Sequence, residues 1–449
     1  MFLETDILIA GAGLSGLCAA IAASGHQARV AVLAPRSGIG DHPAQLLLQA
    51  PHTPDQRAAL RERLITLSAP GHVLPSLVDT MIDDAEAAFH FLCEAGVNMR
   101  ARFDGTPVRR GACHLPDVES ALVLHGQEQT LSVLRAEAQN RGAELLPGLS
   151  LVAIGADGEA PGSALAVDRK GNVAYIRARV VIIASGGTAA LFAAPSAPPS
   201  EGGTGLGLLR QADVHLANAA FHEMFWVTSD GELFNPGTAL MEGMNLIGPE
   251  GGAMIVPETL QEHATERSAH FTHAWGRPDA DVDHYLLANL NPAGVVGVRL
   301  RKQGIQYIQP VVHSSTGGVV IGPNGETGVP GLFACGGCTT GMYGANAVGG
   351  THALASAVFG RRAGVAALAL AASTLMPSAP DAVISNPRLL PLRLREAMRT
   401  NCLPGPRPGL PQFIERLQAL AGLPSLPLLE RCRLLSALTI AEQRAHLPH

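Results

Sequence analysis

Apolar and polar positions at the start of the chain follow the pattern of a βαβ unit. Residues 6–10 form a short apolar run, which is typical of a buried parallel strand, and a glycine turn follows directly. The pattern then predicts a helix over about residues 14–24, which Gly25 ends, and a second strand over residues 28–33. The length of this segment is that of one βαβ unit, which favours an α/β fold with a parallel sheet.

The pattern after residue 55 predicts helices first and strands later. Residues 56–96 are interpreted as largely helical, and residues 129–141 as a further helix. Strands alternate with turns over residues 143–183, and the last strand, residues 179–184, has a fully apolar core. Such a core is expected for a strand that is covered on both faces of its sheet.

Residues 208–303 differ from the segments on either side, because aromatic and methionine residues cluster there and the loops are long. We interpret this segment as an inserted α+β domain. Strand-like segments return afterwards, and a long alanine-rich helix follows Gly350. The predicted division is a first domain in two parts (1–207 and 304–377), a capping domain (208–303), and a linker with C-terminal helices (378–449), these helices at 411–421 and 428–445.

Length and composition narrow the class of protein. The 449 residues are too many for one ordinary core, and 47% hydrophobic residues allow a large core to be buried. The formal net charge of −6 and the lack of a basic stripe argue against nucleic acid as a partner. Seven scattered cysteines do not form a disulfide framework and fit a reducing compartment, so we expect a cytoplasmic protein.

The apolar segments predict neither a secretion signal nor a membrane span. The first apolar run begins almost at Met1 and lacks a basic region and a cleavage site. The longest apolar stretch, residues 363–370, is too short to cross a bilayer, so a buried helix is the better interpretation. We also expect no metal site.

The first candidate for chemistry is the turn Gly11-Ala12-Gly13-Leu14-Ser15-Gly16, between the first strand and the first helix. Gly11 permits a tight turn, Gly13 lets the backbone approach a pyrophosphate, and Gly16 allows the helix to pack closely on the strand. The helix N-terminus supplies N–H donors for phosphate. The acidic residue that usually ends the second strand is missing at about Ala34, which disfavours exchangeable NAD more than a tightly held dinucleotide.

Two further glycine-rich regions extend this picture. Ala184-Ser185-Gly186-Gly187 follows a buried strand and is either a second approach of backbone to a ligand or a simple turn. Between His313 and Gly350 the chain has three glycine-rich turns, a density that suits backbone wrapped against a flat ligand. The helix after Gly350 would aim its N-terminus at that ligand, and in a flavoenzyme its dipole would stabilise negative charge at flavin N1/O2.

With these motifs the chain resembles the fumarate reductase / succinate dehydrogenase flavoprotein family, which includes L-aspartate oxidase. The resemblance implies an FAD-binding Rossmann-like three-layer domain, an inserted α+β capping domain and a short C-terminal helical tail. It also implies non-covalent FAD and hydride transfer between flavin N5 and a carbon of a small carboxylate. The residues that it assigns to FAD are Gly11, Gly13, Leu14, Ser15, Gly16, Ala44, Gln45, Ala184, Ser185, Gly186, Gly336, Gly349, Gly350 and Thr351.

Three residues are assigned to catalysis by the same resemblance. His313, in His-Ser-Ser-Thr-Gly-Gly, falls on the substrate-binding histidine of the family. Arg267 falls near the catalytic arginine that moves a proton, and Glu242 falls on a glutamate of the capping domain. Each of the three also has an interpretation as an ordinary structural or surface residue.

The chain departs from the family at positions that matter for the substrate. The arginine that clamps a substrate carboxylate is Ala347, and the glutamate that binds the FAD ribose is Gly337. Loss of a bidentate clamp costs roughly 2–5 kcal/mol of carboxylate binding if the charge stays unpaired. The sequence therefore predicts a substrate less anionic than a dicarboxylate, unless an arginine among Arg109, Arg110 and Arg301 replaces the clamp.

Three functions remain open on these observations. The first is an FAD-dependent dehydrogenase or reductase that acts on a carbon–carbon or carbon–nitrogen bond. The second is an L-aspartate-oxidase-like enzyme with a rebuilt clamp, and the third is an FAD-carrying subunit or interaction protein whose substrate site has decayed. A small-molecule substrate is expected for the first two, together with an electron acceptor or a partner subunit. Cys335 and Cys338 are either two small buried residues or a flavin-coupled dithiol.

Overall fold

The computed structural model describes residues 1–25, 27–35, 46–115, 120–155, 161–192, 203–248, 251–301, 304–377, 394–423 and 426–447. Its strands are β1 (Phe2–Ala10), β2 (Val30–Ala34), β3 (Leu46–Leu48), β4 (Arg109–Arg110), β5 (Ala121–Val123), β6 (Glu144–Pro147), β7 (Ser150–Ile154), β8 (Ser163–Val167), β9 (Val173–Ile183), β10 (Leu216–Ala217), β11 (His222–Thr228), β12 (Leu233–Phe234), β13 (Asn245–Ile247), β14 (Ala253–Met254), β15 (Val296–Leu300), β16 (Gly304–Ser315), β17 (Gly318–Val320), β18 (Leu332–Ala334) and β19 (Thr339–Thr340). Its α-helices are α1 (Leu14–Ala23), α2 (Pro54–Ser68), α3 (Pro75–Asp83), α4 (Ala85–Glu94), α5 (Gln127–Asn140), α6 (Gly205–Gln211), α7 (Pro236–Met241), α8 (Glu258–Gln261), α9 (Ala264–Ser268), α10 (Ala280–Ala288), α11 (Thr351–Ala371), α12 (Leu394–Cys402), α13 (Leu410–Ala421) and α14 (Leu428–Ala445).

The main sheet has seven strands, in the order β6-β2-β1-β9-β8-β7, and β18 also pairs with β9. Strands β6, β2, β1, β9 and β18 run parallel, whereas β8 and β7 are antiparallel additions. The long strand β9 serves both groups, because its first half pairs with β8 and its last residues pair with β18. The predicted α/β fold and its opening βαβ unit are confirmed.

Helices α1 and α11 pack against each other beside the main sheet. Two glycines of α11 make this contact close: a Cβ on Gly360 would lie 2.5 Å from the carbonyl oxygen of Ser15, and one on Gly364 would lie 2.3 Å from that of Ala19. Strand β1 below them is fully buried at Ile7, Leu8 and Ile9. Over the described residues α11 is the helix that is long and apolar enough to cross a membrane, and 56% of its apolar window is buried inside the protein.

A second sheet lies in the segment between β9 and β18 of the main sheet. Its six strands are antiparallel in the order β12-β11-β16-β15-β13-β14, and they enclose a separate hydrophobic cluster around Met224, Trp226 and Leu286. Strand β16 belongs to this sheet and ends at Ser315, twelve residues beyond the predicted boundary at residue 303. The division into domains stays a prediction, and this strand shows that the second sheet does not end there.

The C-terminal helices connect the two hydrophobic clusters. Helix α14 packs on α6 and β7, and Gly207 lets it approach, because a Cβ there would lie 2.0 Å from the carbonyl oxygen of Cys432. Leu429 and Cys432 of α14 belong to the cluster of the main sheet, whereas Leu434 and Leu438 belong to that of the second sheet. The two predicted C-terminal helices are confirmed to within one residue, and the predicted linker at residues 378–387 lies outside the described residues.

The close approach of α11 to α1 gives a stability prediction. Gly364→Ala places a methyl group against the backbone of Ala19, so one helix must shift. We expect unfolding in urea to show a loss of about 1–3 kcal/mol. Val365→Ala is the control, because Val365 is 54% exposed on the same helix and its truncation should change stability by less than about 0.5 kcal/mol. A Gly364→Ala protein as stable as the control variant would contradict this packing argument.

Candidate functional site

The first glycine turn joins β1 to α1. Two of its glycines are packed against backbone, and a third borders open space. A Cβ on Gly11, whose φ is +126°, would lie 2.1 Å from the carbonyl oxygen of Ala184, and one on Gly16 would lie 1.9 Å from the carbonyl oxygen of Gly11. These two glycines are required by backbone contact alone. A Cβ on Gly13 would meet no described atom within 4 Å, so this position borders open space at the helix N-terminus. That is the arrangement a bound pyrophosphate requires.

The turn after β9 forms a second side of this space. Gly186 has a φ of +75°, and a Cβ on it would meet no described atom within 4 Å. Gly336 instead packs on the first turn, because its Cβ would lie 2.1 Å from the hydroxyl oxygen of Ser15. The glycines assigned to the cofactor are thus of two kinds, open at Gly13 and Gly186 and packed at Gly11, Gly16 and Gly336.

Helix α11 packs on the segment that contains Gly336, and its N-terminus is a candidate third side of this space. Gly350 caps this helix in the left-handed conformation, with a φ of +86°. Thr351 follows it and is fully buried, and no described group bonds to its Oγ1. A buried hydroxyl without a partner is unfavourable by about 1–3 kcal/mol, which favours a ligand that completes it. Gly349 beside it packs on Cys113, and the assigned residues Ala44 and Gln45 lie outside the described residues.

Strands β11 and β16 carry a polar cluster next to this space. Glu223 pairs with Ser314 and Met224 pairs with Val312, so His313 is the extra residue of a bulge. Ser314 Oγ donates a short hydrogen bond to the Glu223 carboxylate. The ring of His313 lies 5.1 Å from that of Phe225. Burial lowers the pKa of His313, so its imidazole is neutral at neutral pH.

His352, in the first turn of α11, joins the polar cluster from the other sheet's side. Its Nε2 lies 3.2 Å from Glu223 Oε2, and its ring lies 4.5 Å from that of Tyr343. Burial by itself raises the pKa of Glu223, but the contacts with His352, His313 and Ser314 together outweigh burial and the pKa falls to about 2. The carboxylate is therefore ionised at neutral pH. Glu223, His313, Ser314 and His352 are named the Glu223 cluster below.

The Glu223 cluster is connected to the glycine turns by direct contacts. Ser315, next to Ser314, accepts a hydrogen bond from the backbone N–H of Thr188 at 3.1 Å. A Cβ on Gly187 would lie 2.4 Å from the same hydroxyl oxygen. The end of β16 thus rests on the turn that follows β9, and this contact places the cluster at the edge of the cofactor space.

Arg267 lies in the core of the second sheet's domain instead of at an open site. Its side chain is 0% exposed, and Nε and Nη2 donate to the two Asp283 carboxylate oxygens at 2.8 and 3.0 Å. Nη1 donates to the carbonyl oxygen of His270 at 2.7 Å. Trp226 donates from Nε1 to the same carboxylate at 2.7 Å. All three guanidinium nitrogens are engaged, so this geometry gives a structural role and lends no support to the predicted catalytic one.

Glu242 is exposed at the end of α7, far along the sheet from His313. Asn245, three residues on, pairs with Arg299, and Arg299 pairs with Ile305. From Ile305 to His313 the strand β16 continues for roughly 26 Å of extended backbone. The structure does not bring these two predicted catalytic residues together.

Several other predicted features have clear positions. Arg109, Arg110 and Arg301 are exposed, and Ala347 is buried at the position of the missing clamp.

The two cysteines Cys335 and Cys338 are both buried free thiols. Cys338 Sγ donates to the carbonyl oxygen of Ile183 at 3.3 Å, and burial raises the pKa of Cys338 to about 11. Thiols in that state are protonated and poor nucleophiles. The described residues contain no group of three metal-ligating side chains.

Glu223 and His352 were missed by reasoning from sequence. A signal for the first was available, because a charged residue in the apolar run from Phe221 to Val227 needs a partner. A signal for the second was its place directly after Gly349-Gly350-Thr351 at a helix start. Neither signal names the partner, since the two residues are 129 positions apart in the chain.

Comparison with known proteins decides the family. The family model described as FAD binding domain matches residues 6–229 and 255–352. The chain belongs to this family. It is an FAD-dependent oxidoreductase of the fumarate reductase / succinate dehydrogenase flavoprotein type, and FAD is its cofactor. The geometry of Gly13, Gly186 and Thr351 fits such a dinucleotide.

Individual relatives support the same assignment. L-aspartate oxidase of Caulobacter vibrioides is 27% identical over 98% of this chain and 92% of that protein. One subunit of the fumarate reductase (CoM/CoB) of Methanothermobacter marburgensis is 25% identical over 81% of this chain and 72% of that protein. Among solved structures, Sdh1 of Mycobacterium smegmatis has a TM-score of 0.76 at 19% identity over 98% of this chain and 86% of that one. A variant of the E. coli quinol fumarate reductase FrdA has a TM-score of 0.73 at 19% identity over 99% of this chain and 89% of that one.

The difference between open and packed glycines in this flavoprotein is testable. Gly13→Ala should leave the fold intact and sharply reduce the flavin bound per protein, because its methyl group enters the space for the pyrophosphate. Gly16→Ala should lower stability, because its methyl group meets the backbone of Gly11. Circular dichroism and flavin absorbance of the purified variants separate the two effects. A Gly13→Ala protein with the FAD content of the wild type would refute this assignment.

The buried ion pair gives a second prediction. Arg267→Met should lower the free energy of unfolding by about 3–5 kcal/mol, because it leaves the Asp283 carboxylate buried without its partner. Adding Asp283→Asn in the same chain should recover part of that loss, which urea unfolding of the two proteins measures. If Arg267→Met were stable and only slowed flavin reduction, the catalytic assignment would be correct instead.

Proposed function

We propose that this flavoprotein is a cytoplasmic dehydrogenase or reductase that acts on a carbon–carbon or carbon–nitrogen bond of a small substrate less anionic than a dicarboxylate. When bound, FAD supplies a hydride acceptor or donor at N5. The observation that carries the proposal is the Glu223 cluster, which places a carboxylate with its contacts to Ser314 and His352, and a neutral His313, at the edge of the cofactor space. Dicarboxylate substrates require cations at such a place.

The arginines described near the site do not provide a cation for a substrate carboxylate. Arg267 is neutralised by Asp283, and the clamp position is Ala347. Four of the five guanidinium N–H groups of Arg267 donate to Asp283, His270 and Phe271, and the side chain is fully buried, so it offers a substrate no pair of donors for a bidentate clamp. These contacts support a substrate whose reacting end is neutral or cationic.

Within this proposal His313 binds the substrate, as the resemblance implies. It stands on a bulge, which turns its side chain out of the regular alternation of β16. A neutral imidazole offers one donor and one acceptor, which suits a polar neutral group. The catalytic roles of Arg267 and Glu242 stay predictions. FAD is proposed to be held without a covalent bond, by the turns around Gly13, Gly186 and Gly350.

A second function is supported by similarity over almost the whole chain. L-aspartate oxidase of Caulobacter vibrioides aligns with 98% of this chain, so an enzyme of that type with a rebuilt carboxylate clamp is the alternative. A third is an FAD-carrying subunit with a decayed substrate site, which the lost clamp at Ala347 supports. It would need a partner chain, and the Methanothermobacter marburgensis relative is itself named as one subunit of its enzyme.

One set of assays separates the three functions. The purified holoprotein is mixed without oxygen with amines, enones, alcohols, succinate and L-aspartate, and flavin reduction is followed by absorbance. We expect reduction by a neutral or amine substrate and none by succinate, with His313→Gln slowing it about 10- to 100-fold. Acid precipitation should leave the flavin in the supernatant, as non-covalent binding requires.

The other outcomes point to the alternatives. Peroxide release with L-aspartate in air would establish the oxidase-like function and overturn the first proposal. A protein that holds FAD, is reduced by no compound of the set and co-purifies with another chain would favour the carrier subunit. Reduction by succinate at a rate above that of every neutral compound would show that the charge argument is wrong.

A further inference from the structure

The contacts of the Glu223 carboxylate are made by one of its two oxygens. Its Oε2 receives the hydrogen bond from Ser314 Oγ and the contact of His352 Nε2 at 3.2 Å. Across the part of the chain that the structure describes, no group donates to Oε1. The side chain is 12% exposed, and Oε1 is not among the fully buried unpartnered atoms of the described residues. An ionised oxygen in that position favours a hydrogen-bond donor as its neighbour.

The titratable groups that face Glu223 from the packed elements provide little positive charge. His313 faces it from β16 and His114 from the loop before β5, and burial lowers the pKa of both, that of His114 to about 3. Cys113 and Tyr343 also face it, and burial raises their pKa values, so both are uncharged at neutral pH. Of the three histidines, His352 is the one in direct contact with the carboxylate, at 3.2 Å.

The position of Glu223 Oε1 relative to the cofactor space follows from the residues next to Ser314 and His352 in the chain. His352 directly follows Thr351, whose buried Oγ1 has no described partner. Ser314 directly precedes Ser315, which contacts the turn at Gly187 and Thr188. The carboxylate is therefore held between two segments that line the space for FAD, on the side of the second sheet.

We infer that Glu223 recognises the substrate and that its free oxygen binds an ammonium group, so that the substrate class is the amines. This inference rests on the proposed function and narrows it to compounds with a carbon–nitrogen bond. A cation gains a charge-assisted hydrogen bond to Oε1, whereas a carboxylate ligand meets like charge in a partly desolvated place. Phe225, which is half-buried beside His313, offers apolar contact to the rest of such a molecule.

The experiment compares three ligands of one shape and different charge. Benzylamine, benzyl alcohol and benzoate are titrated at neutral pH into the FAD-loaded full chain, and binding is read from the difference spectrum of the flavin. We expect benzylamine to bind at least about tenfold more tightly than the other two, and added NaCl to weaken it. Glu223→Gln should weaken benzylamine at least about tenfold and leave benzyl alcohol unchanged.

Glu232→Gln is the matched control, because Glu232 is an exposed carboxylate on the turn between β11 and β12. It should bind all three ligands as the wild type does. Benzoate or benzyl alcohol binding as tightly as benzylamine to the wild type would overturn the inference, and this comparison holds even if Glu223→Gln does not fold. Equal benzylamine affinity in folded Glu223→Gln and wild type would overturn it as well.

Failure of the proposed function has a different signature. A chain that does not load FAD, or that loads it and is reduced by no compound of the assay set, contradicts the proposed function before any ligand is compared. A chain that is reduced by an enone or alcohol while benzylamine binds no better than benzoate keeps the proposed function and loses the inference.

Discussion

The rest of this flavoprotein depends on close backbone contacts between segments that are distant in the chain. Gly11 lies against the carbonyl of Ala184, and Gly364 lies against the backbone of Ala19. Each contact excludes a side chain, so the strands β1 and β9 and the helices α1 and α11 are held at a separation that only glycine permits. The space for the cofactor exists because these four elements converge there and their turns bend away.

The same backbone contacts also position the residues of the Glu223 cluster. Since α11 is fixed against α1, the position of its first turn is fixed as well, and His352 in that turn reaches Glu223 of the second sheet. Ser315 fixes the other side, because its hydroxyl is bonded to Thr188 behind β9. The proposed substrate residues of the second sheet are thus aligned with the cofactor space by a few short contacts, and α14 adds a contact to both hydrophobic clusters.

Reasoning from sequence succeeded where the signal is local. The βαβ unit and the helices α11, α13 and α14 depend on periodicity and on glycines within one stretch of chain, and they were predicted to within a few residues. It failed for the site, where contacts join distant segments. Glu223 meets His352 only after a bulge shifts the register of β11 and β16, and no short-range pattern contains that shift. Arg267 could not be distinguished from a free arginine, because its partner Asp283 lies on another helix.

The charges of the second sheet's domain bear on the proposed preference for a substrate that is not a carboxylate. Arg267 and Asp283 cancel each other in the core, and burial lowers the pKa of Arg444, which is bonded through Nη2 to a backbone carbonyl and lies 5.8 Å from the ring of Trp275. Both cations therefore contribute to packing and bind internal acceptors. Glu223 instead is bonded to Ser314 and lies beside His352, and its second oxygen has no described donor. Because a desolvated charge selects partners of opposite sign, the change at Ala347 and the placement of Glu223 act in the same direction. A substrate that enters the proposed site loses solvation free energy. Contact with Glu223 compensates more of that loss for a cation than for an anion.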